Sequence, residues 1–274
     1  MISLLYSGNA FAFDGILISL LSIMKHNSDA LKVYLLTMEL SDIDENFVPI
    51  DENMRKALEN ACKKTNFEST VTLIDIGELY RKELLSSPNS NTFYTPYCFL
   101  RLFADRIDIL PERILYLDAD TMARRDISTL TDTDIEDYEL AGVLDYYGDK
   151  FLKKGYINSG VLYLNLKKIK ESSLFERCVE LIKRKRLYLP DQNAINKFVE
   201  KKLLLPEKYN EQMAAKQDTV IQHFVSTTVW FPIVHKRKIK PWHTEKMKRK
   251  YPEFNDVLDN YASIKKGMEI KSRF

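Results

Sequence analysis

Cysteine is scarce: the chain has three, Cys62, Cys98 and Cys178, far apart and odd in number. That pattern offers neither a disulfide framework nor a zinc-ligand spacing, and suits reduced, buried thiols in a cytosolic protein. Long apolar runs are missing too. The longest, Gly15 to Met24, falls short of the roughly 20 residues a membrane-spanning helix needs. No basic residue precedes it, so it makes a poor signal peptide and reads as a first buried helix. Excess charge of one sign is absent, the net being +2, which gives no reason to expect a nucleic-acid partner. Internal repeats, low-complexity tracts and a linker before about residue 245 are lacking as well.

What is present is a large apolar fraction, 45% of 274 residues, arranged as strands alternating with helices. Ile2 to Tyr6, Leu31 to Leu36, Val71 to Ile76, Ile114 to Leu117, Leu140 to Leu144 and Val161 to Leu164 read as strands. Between and after them, Met54 to Thr65 and Leu174 to Arg186 are amphipathic at helical spacing. Pro96 and Pro190 each open a further helix, the second carrying Asp191 and Gln192 in its first turn. Such alternation predicts an α/β fold: a mixed, mostly parallel sheet flanked by helices.

The most informative stretch is Ile114-Leu115-Tyr116-Leu117-Asp118-Ala119-Asp120-Thr121. A strand alternates its side chains between faces, so Asp118 and Asp120 are expected to project together past its carboxyl end. Open α/β sheets place ligands at that edge. Two carboxylates aimed at one point repel unless a cation lies between them, and hard divalent ions take such oxygens. Two enzyme classes use the pattern: nucleotide-sugar glycosyltransferases hold a metal with it, and phosphatases of the haloacid dehalogenase type use Asp-x-Asp-x-Thr with the first Asp as nucleophile. The phosphatase reading wants the motif on the first core strand, yet more than a hundred residues precede it here. It also wants a late acidic pair, and Gly148-Asp149 is followed by Lys153 where the second acid belongs.

Other segments settle on the first class. Arg101 through Thr121, Tyr156-Ile157-Asn158-Ser159-Gly160-Val161-Leu162-Tyr163-Leu164-Asn165-Leu166, Leu189-Pro190-Asp191-Gln192-Asn193-Ala194-Ile195-Asn196, Lys208-Tyr209-Asn210 and Lys240-Pro241-Trp242-His243 occur in that order. Together they resemble the family 8 retaining glycosyltransferases, the family of bacterial lipopolysaccharide galactosyl- and glucosyltransferases and of glycogenin. The resemblance runs over about residues 2 to 243 and implies a GT-A-like, Rossmann-type domain, placed at 1–245, followed by a short basic tail at 246–274.

It also implies roles. Asp118, Asp120 and His223 would hold manganese, with magnesium as the alternative. Arg101 and Lys240 would face the donor and its diphosphate, where preorganised cations stabilise the charge of the departing UDP. Ser7, Asn9 and Ala119 would contact the nucleotide, although the family often has an acid where Ser7 stands. Asn158, Asp191 and Gln192 would line the donor sugar, with Gln192 behind the anomeric carbon, and Asp145 would lie between donor and acceptor. Gln192, Asp145 and Asp191 are thus the expected catalytic residues, and UDP-glucose or UDP-galactose the expected donor, with a carbohydrate-bearing acceptor. A non-catalytic nucleotide-sugar-binding protein is the alternative that would use the same pocket.

One departure stands out. The family commonly shows His-Tyr-x-Gly-x-x-Lys-Pro-Trp, whereas Val225 to Lys238 separates His223 from Lys240 here, with Ser226 at the glycine position. Trp230, Phe231 and Pro232 in that insertion are expected to wall or cover an acceptor. From Lys236 to Lys250 eight Lys or Arg face one acid, Glu245, which suggests weak peripheral association of a cytoplasmic enzyme with the inner face of the cell membrane.

Overall fold

The computed structural model describes residues 1–90, 95–229, 235–237 and 239–271, with backbone alone at 227–229, 235–237 and 269–271. Nine strands carry the argument: β1 (Ile2–Ser7), β2 (Leu31–Thr37), β3 (Thr70–Asp75), β4 (Arg113–Leu117), β5 (Thr121–Ala123), β6 (Leu140–Leu144), β7 (Ile157–Asn165), β8 (Lys202–Leu204) and β9 (Ile221–His223). Seven of them form one sheet in the order β3-β2-β1-β4-β7-β6-β8. Neighbours are parallel except where β7 pairs with β4 and β6, so β7 alone runs against the rest. The expected mixed, mostly parallel sheet is therefore present.

Every residue of β7 is buried, and β1 buries most of its length, as strands covered on both faces do. One apolar cluster packs helix Phe13–His26 against Leu4, Tyr6, Val33, Leu35, Leu115 and Leu117. A second packs Phe99, Phe103, Phe175 and Ile182 on the other face, against Leu5, Leu36, Ile114 and Tyr116. The helix expected after Pro96 is a 3-10 helix over Pro96–Arg106. The basic segment expected to trail from the domain is folded onto it: Met247, Phe254, Val257, Leu258 and Tyr261 join the first cluster. At its rim, Lys25–Asp256 and Lys265–Asp14 ion pairs at 2.8 Å tie helix Asn255–Lys271 to helix Phe13–His26.

Topology places the site. The chain leaves β1 towards β2 on one side, while β4 lies on the other, so a crevice opens where the strand order reverses. β1, β4 and β6 deliver their carboxyl ends to this edge, and β7, being reversed, delivers its start: Asn158, Ser159 and Gly160.

Candidate active site

The two aspartates converge, though not by strand alternation. β4 stops at Leu117, and Asp118 to Thr121 form a turn closed by the Thr121 amide donating to the Asp118 carbonyl at 3.1 Å. β5 follows at once and pairs antiparallel with β9, with Thr121 opposite His223. That register brings the imidazole beside the turn. Asp118, Asp120 and His223 each offer one ligand atom, all within 4.8 Å of one another. His223 Nε2 lies 3.0 Å from Asp120 Oδ1 and 3.8 Å from Asp118 Oδ2.

Carboxylate repulsion is relieved by protein cations. Arg101 Nη2 donates to Asp118 Oδ1 at 3.0 Å, and Lys240 Nζ donates to Asp120 Oδ2 at 2.5 Å. Burial alone would raise the Asp120 carboxyl, but His223 and then Lys240 outweigh it and hold it well below its usual range. Arg101 is itself only 3% exposed and stacks on the Tyr116 ring at 4.0 Å. Its Nη1 donates to the Ser159 carbonyl at 2.5 Å, and its Nε lies 3.5 Å from Asp191 Oδ2. Arg101 thus ties the end of β4 to the start of β7 and to helix Pro190–Phe198.

The donor set suits a divalent ion: two carboxylates and an imidazole, with room for the ring made by a glycine. A β-carbon on Gly160 would stand 2.1 Å from His223 Cε1 and 2.7 Å from Asp118 Oδ2. On the other side Gly15 lets the first helix abut the turn, where a β-carbon would lie 2.5 Å from the Ala119 carbonyl oxygen.

The remaining expected residues form a second group. Gln192 Oε1 accepts from the Ser159 amide at 3.0 Å, and its Nε2 donates to Asp145 Oδ2 at 3.3 Å. Asp145 Oδ2 also accepts from Asn158 Nδ2 at 3.0 Å, while its Oδ1 accepts from the Tyr147 and Gly148 amides. Asp191 is buried at a helix start without capping it. Instead its carboxylate accepts from Ser159 Oγ at 3.2 Å and faces Arg101. Burial pushes its carboxyl up, and Asp118 adds to this while Arg101 opposes it.

Ser7 Oγ lies 3.0 Å from the Tyr116 hydroxyl, which donates to Asp118 at 2.8 Å, so Ser7 joins the aspartate pair through a tyrosine. Asn9 stands apart: it is buried and its amide donates to the Asn46 carbonyl. Trp230, Phe231 and Pro232 lie outside the described residues, so the acceptor-wall expectation rests on sequence. Reading by residue type passed over Tyr116 as a core aromatic and Ser159 as part of a motif, although both bond to site carboxylates.

The profile of glycosyl transferase family 8 matches residues 4–246. The chain belongs to that family. A family 8 chain so placed leaves no room for the phosphatase reading. Thr121, which made that match, is buried with its hydroxyl on the Asp118 carbonyl at 2.8 Å.

Among curated proteins, the chain is 32% identical over 164 residues to the lipopolysaccharide 1,2-glucosyltransferase of Escherichia coli, covering 53% of this chain and 48% of that one. It is 27% identical over 214 residues to the lipopolysaccharide 1,3-galactosyltransferase of Salmonella typhimurium, covering 71% and 61%. Glycosyltransferase GlyF of Streptococcus pneumoniae is 30% identical over 132 residues, 47% of this chain and 33% of that protein. The matched segments thus span between about a third and three fifths of these relatives' lengths. The fold is that of the galactosyltransferase LgtC, solved with donor and acceptor sugar analogs. The two superpose with a TM-score of 0.67 at 20% identity, over 94% of this chain and 96% of that one.

Proposed function

We propose that this family 8 glycosyltransferase moves a hexose, glucose or galactose, from UDP to a hydroxyl of a carbohydrate-bearing acceptor with retention of anomeric configuration. The observation that carries the reading is the convergence of Asp118, Asp120 and His223 on one point at the carboxyl edge of the sheet. Those three residues would hold manganese, or magnesium in its place. When bound, such an ion would neutralise the donor diphosphate as a Lewis acid. Lys240, docked on Asp120 and on the Phe224 carbonyl at 2.8 Å, would turn towards that diphosphate. Arg101, expected to face the donor, is paired with Asp118 and Asp191 and would act on the donor beside them. Ser7, Asn9 and Ala119 would meet the nucleotide.

Asn158, Asp191 and Gln192 would line the sugar. Gln192 is held by a backbone amide on one side and Asp145 on the other, so its amide can face an oxocarbenium-like centre without reorganising. Asp145 would then stand between sugar and acceptor. With Asp191 tied to Arg101 and Ser159, and Asp145 to four donors, neither is a free nucleophile. We therefore read retention as departure and attack on one face, the leaving phosphate oxygen taking the acceptor proton.

The relatives' names, a glucosyl- and a galactosyltransferase of lipopolysaccharide, favour a lipid-linked glycan as acceptor over a capsular saccharide or glycoprotein. A cytoplasmic enzyme held weakly at the inner membrane face fits such an acceptor, and the exposed Lys246, Arg249 and Lys250 of helix Thr244–Lys250 would supply the attraction. No helix among the described residues is long and apolar enough to cross a membrane. The deciding experiment is a panel of UDP-sugars assayed for manganese-dependent UDP release. Turnover of UDP-glucose or UDP-galactose is the expected result. Binding without turnover, with and without a glycan acceptor, would make the chain a nucleotide-sugar-binding protein instead.

A further inference from the structure

Asn210 has no part in the reading above, yet it is completely buried between the two halves of the site. Its Nδ2 lies 3.0 Å from Asn158 Oδ1 and its Oδ1 lies 3.0 Å from His223 Nδ1. Amide oxygens and nitrogens are normally told apart only by their surroundings, and here the surroundings decide. The Gly160 backbone amide, which can only donate, points at one Asn158 atom from 3.0 Å, so that atom is the oxygen. The other Asn158 atom is then the nitrogen, in agreement with its contact to the Asp145 carboxylate at 3.0 Å.

The assignment propagates. An atom of Asn210 facing the Asn158 oxygen must be the nitrogen, so the Asn210 oxygen faces His223. An oxygen there demands a hydrogen on Nδ1. The ring atom turned to Asp118 and Asp120 is consequently Nε2, the nitrogen a cation would take. Gly160 thus acts twice, through its missing β-carbon under the ring and through its amide at the head of the chain of bonds.

We propose that Asn210 is a positioning residue. It fixes which nitrogen of His223 is presented to the metal, and it joins that ligand through Asn158 to Asp145 on the sugar side. The proposal rests on the reading of Asp118, Asp120 and His223 as a cation site, and extends it to a side chain that touches neither metal nor sugar. A carboxylate at 210 would still accept from Nδ1 but would have no hydrogen for Asn158. An alanine would do neither.

The test uses the manganous ion alone, titrated into metal-free protein and followed by electron paramagnetic resonance, with thermal melting to verify folding. Partners of this kind set metal affinity by about 10- to 100-fold, so Asn210→Ala is expected to weaken manganese binding by at least about tenfold. Asn210→Asp is expected to bind within about threefold of wild type, or tighter, while turning over UDP-sugar poorly because Asn158 has lost its donor. The proposal is overturned if folded Asn210→Ala binds manganese like wild type, or if folded Asn210→Asp loses as much affinity as the alanine variant. Should the alanine variant not fold, the aspartate variant decides alone: retained affinity supports the role, and lost affinity in a folded protein ends it. Wild-type protein that binds no manganese would remove the cation site itself, a failure visible before any substitution is made.

Discussion

His223 occupies the space that a side chain on Gly160 would need: a β-carbon there would stand 2.1 Å from the imidazole Cε1 and 2.8 Å from its Nδ1. The clash would be steric, since that gap is far below any real carbon–carbon approach. Gly160→Ala should therefore push the imidazole off Asp118 and Asp120. Manganese affinity should fall by at least about tenfold, with a stability loss of about 1–3 kcal/mol from overpacking. Metal titration beside a chemical melt measures both, and an alanine variant with wild-type affinity would show that the ring can move at no cost.

Removing a ligand should be harsher. Asp120→Ala or His223→Ala is expected to nearly abolish UDP-sugar hydrolysis and to weaken UDP binding, because the diphosphate would face poorly shielded carboxylates. Excess chelator should do the same to wild-type enzyme. Either variant turning over near the wild-type rate in manganese would remove the metal from the account.

For Gln192 the informative quantity is a ratio. If its amide acts mainly in the transition state, Gln192→Ala should lower kcat much more than it raises the Kd for UDP-sugar. Weaker donor binding with unchanged turnover of the bound donor would instead make Gln192 a positioning group for Ser159 and Asp145.

Acid should reveal the Asp120 cluster. Its carboxyl is held below the ordinary value of 3.8, so the native state binds that proton less readily than the unfolded chain. The stability it contributes is present above pH 3.8 and is lost as the pH falls through the lower native value. The difference in unfolding free energy between wild type and Asp120→Asn should shrink in strong acid. Urea melts across that range test it, and a difference that grows on acidification would reverse the sign.

Membrane attraction needs a gentler probe than truncation, since Met247, Phe254, Val257, Leu258 and Tyr261 are part of the core. Lys248 is engaged with Asp259 at 2.5 Å, leaving Lys246, Arg249 and Lys250 as the outward charges to neutralise. A triple glutamine variant should sediment less with anionic vesicles at low salt, each charge contributing about 1 kcal/mol near such a surface. Equal sedimentation of wild type and variant would leave that helix without a membrane role.

Much of this was legible in the residues. The sheet showed itself because strands buried on both faces must be apolar, and the paired aspartates because they follow such a strand. Their convergence comes from a turn and not from the pleat of the strand. Strands β5, β8 and β9 escaped notice because three residues are too few for a periodic signal. The start of β7 was equally hidden: Asn158 and Ser159 are polar as in a loop, yet buried in a strand because their partners are Asp145, Asp191 and Gln192. Asn210, in a polar stretch, gave no sign that its amide would lie between a histidine and another asparagine.

The reversal of β7 constrains how this protein can vary. Its pairing with β4 sets Leu117 opposite Val161, and every group at the start of β7 is counted from that pair. Deleting one residue from β7 downstream of Gly160 would either slip the ladder beyond the deletion or draw Ser159 into the glycine's place, and Ser159 carries the β-carbon that His223 excludes. Connecting loops can change length across divergent homologues without moving a ligand, but the β4–β7 ladder cannot. Drift in this family should therefore show as substitutions along those two strands and as insertions elsewhere, as in the long segment between His223 and Lys240.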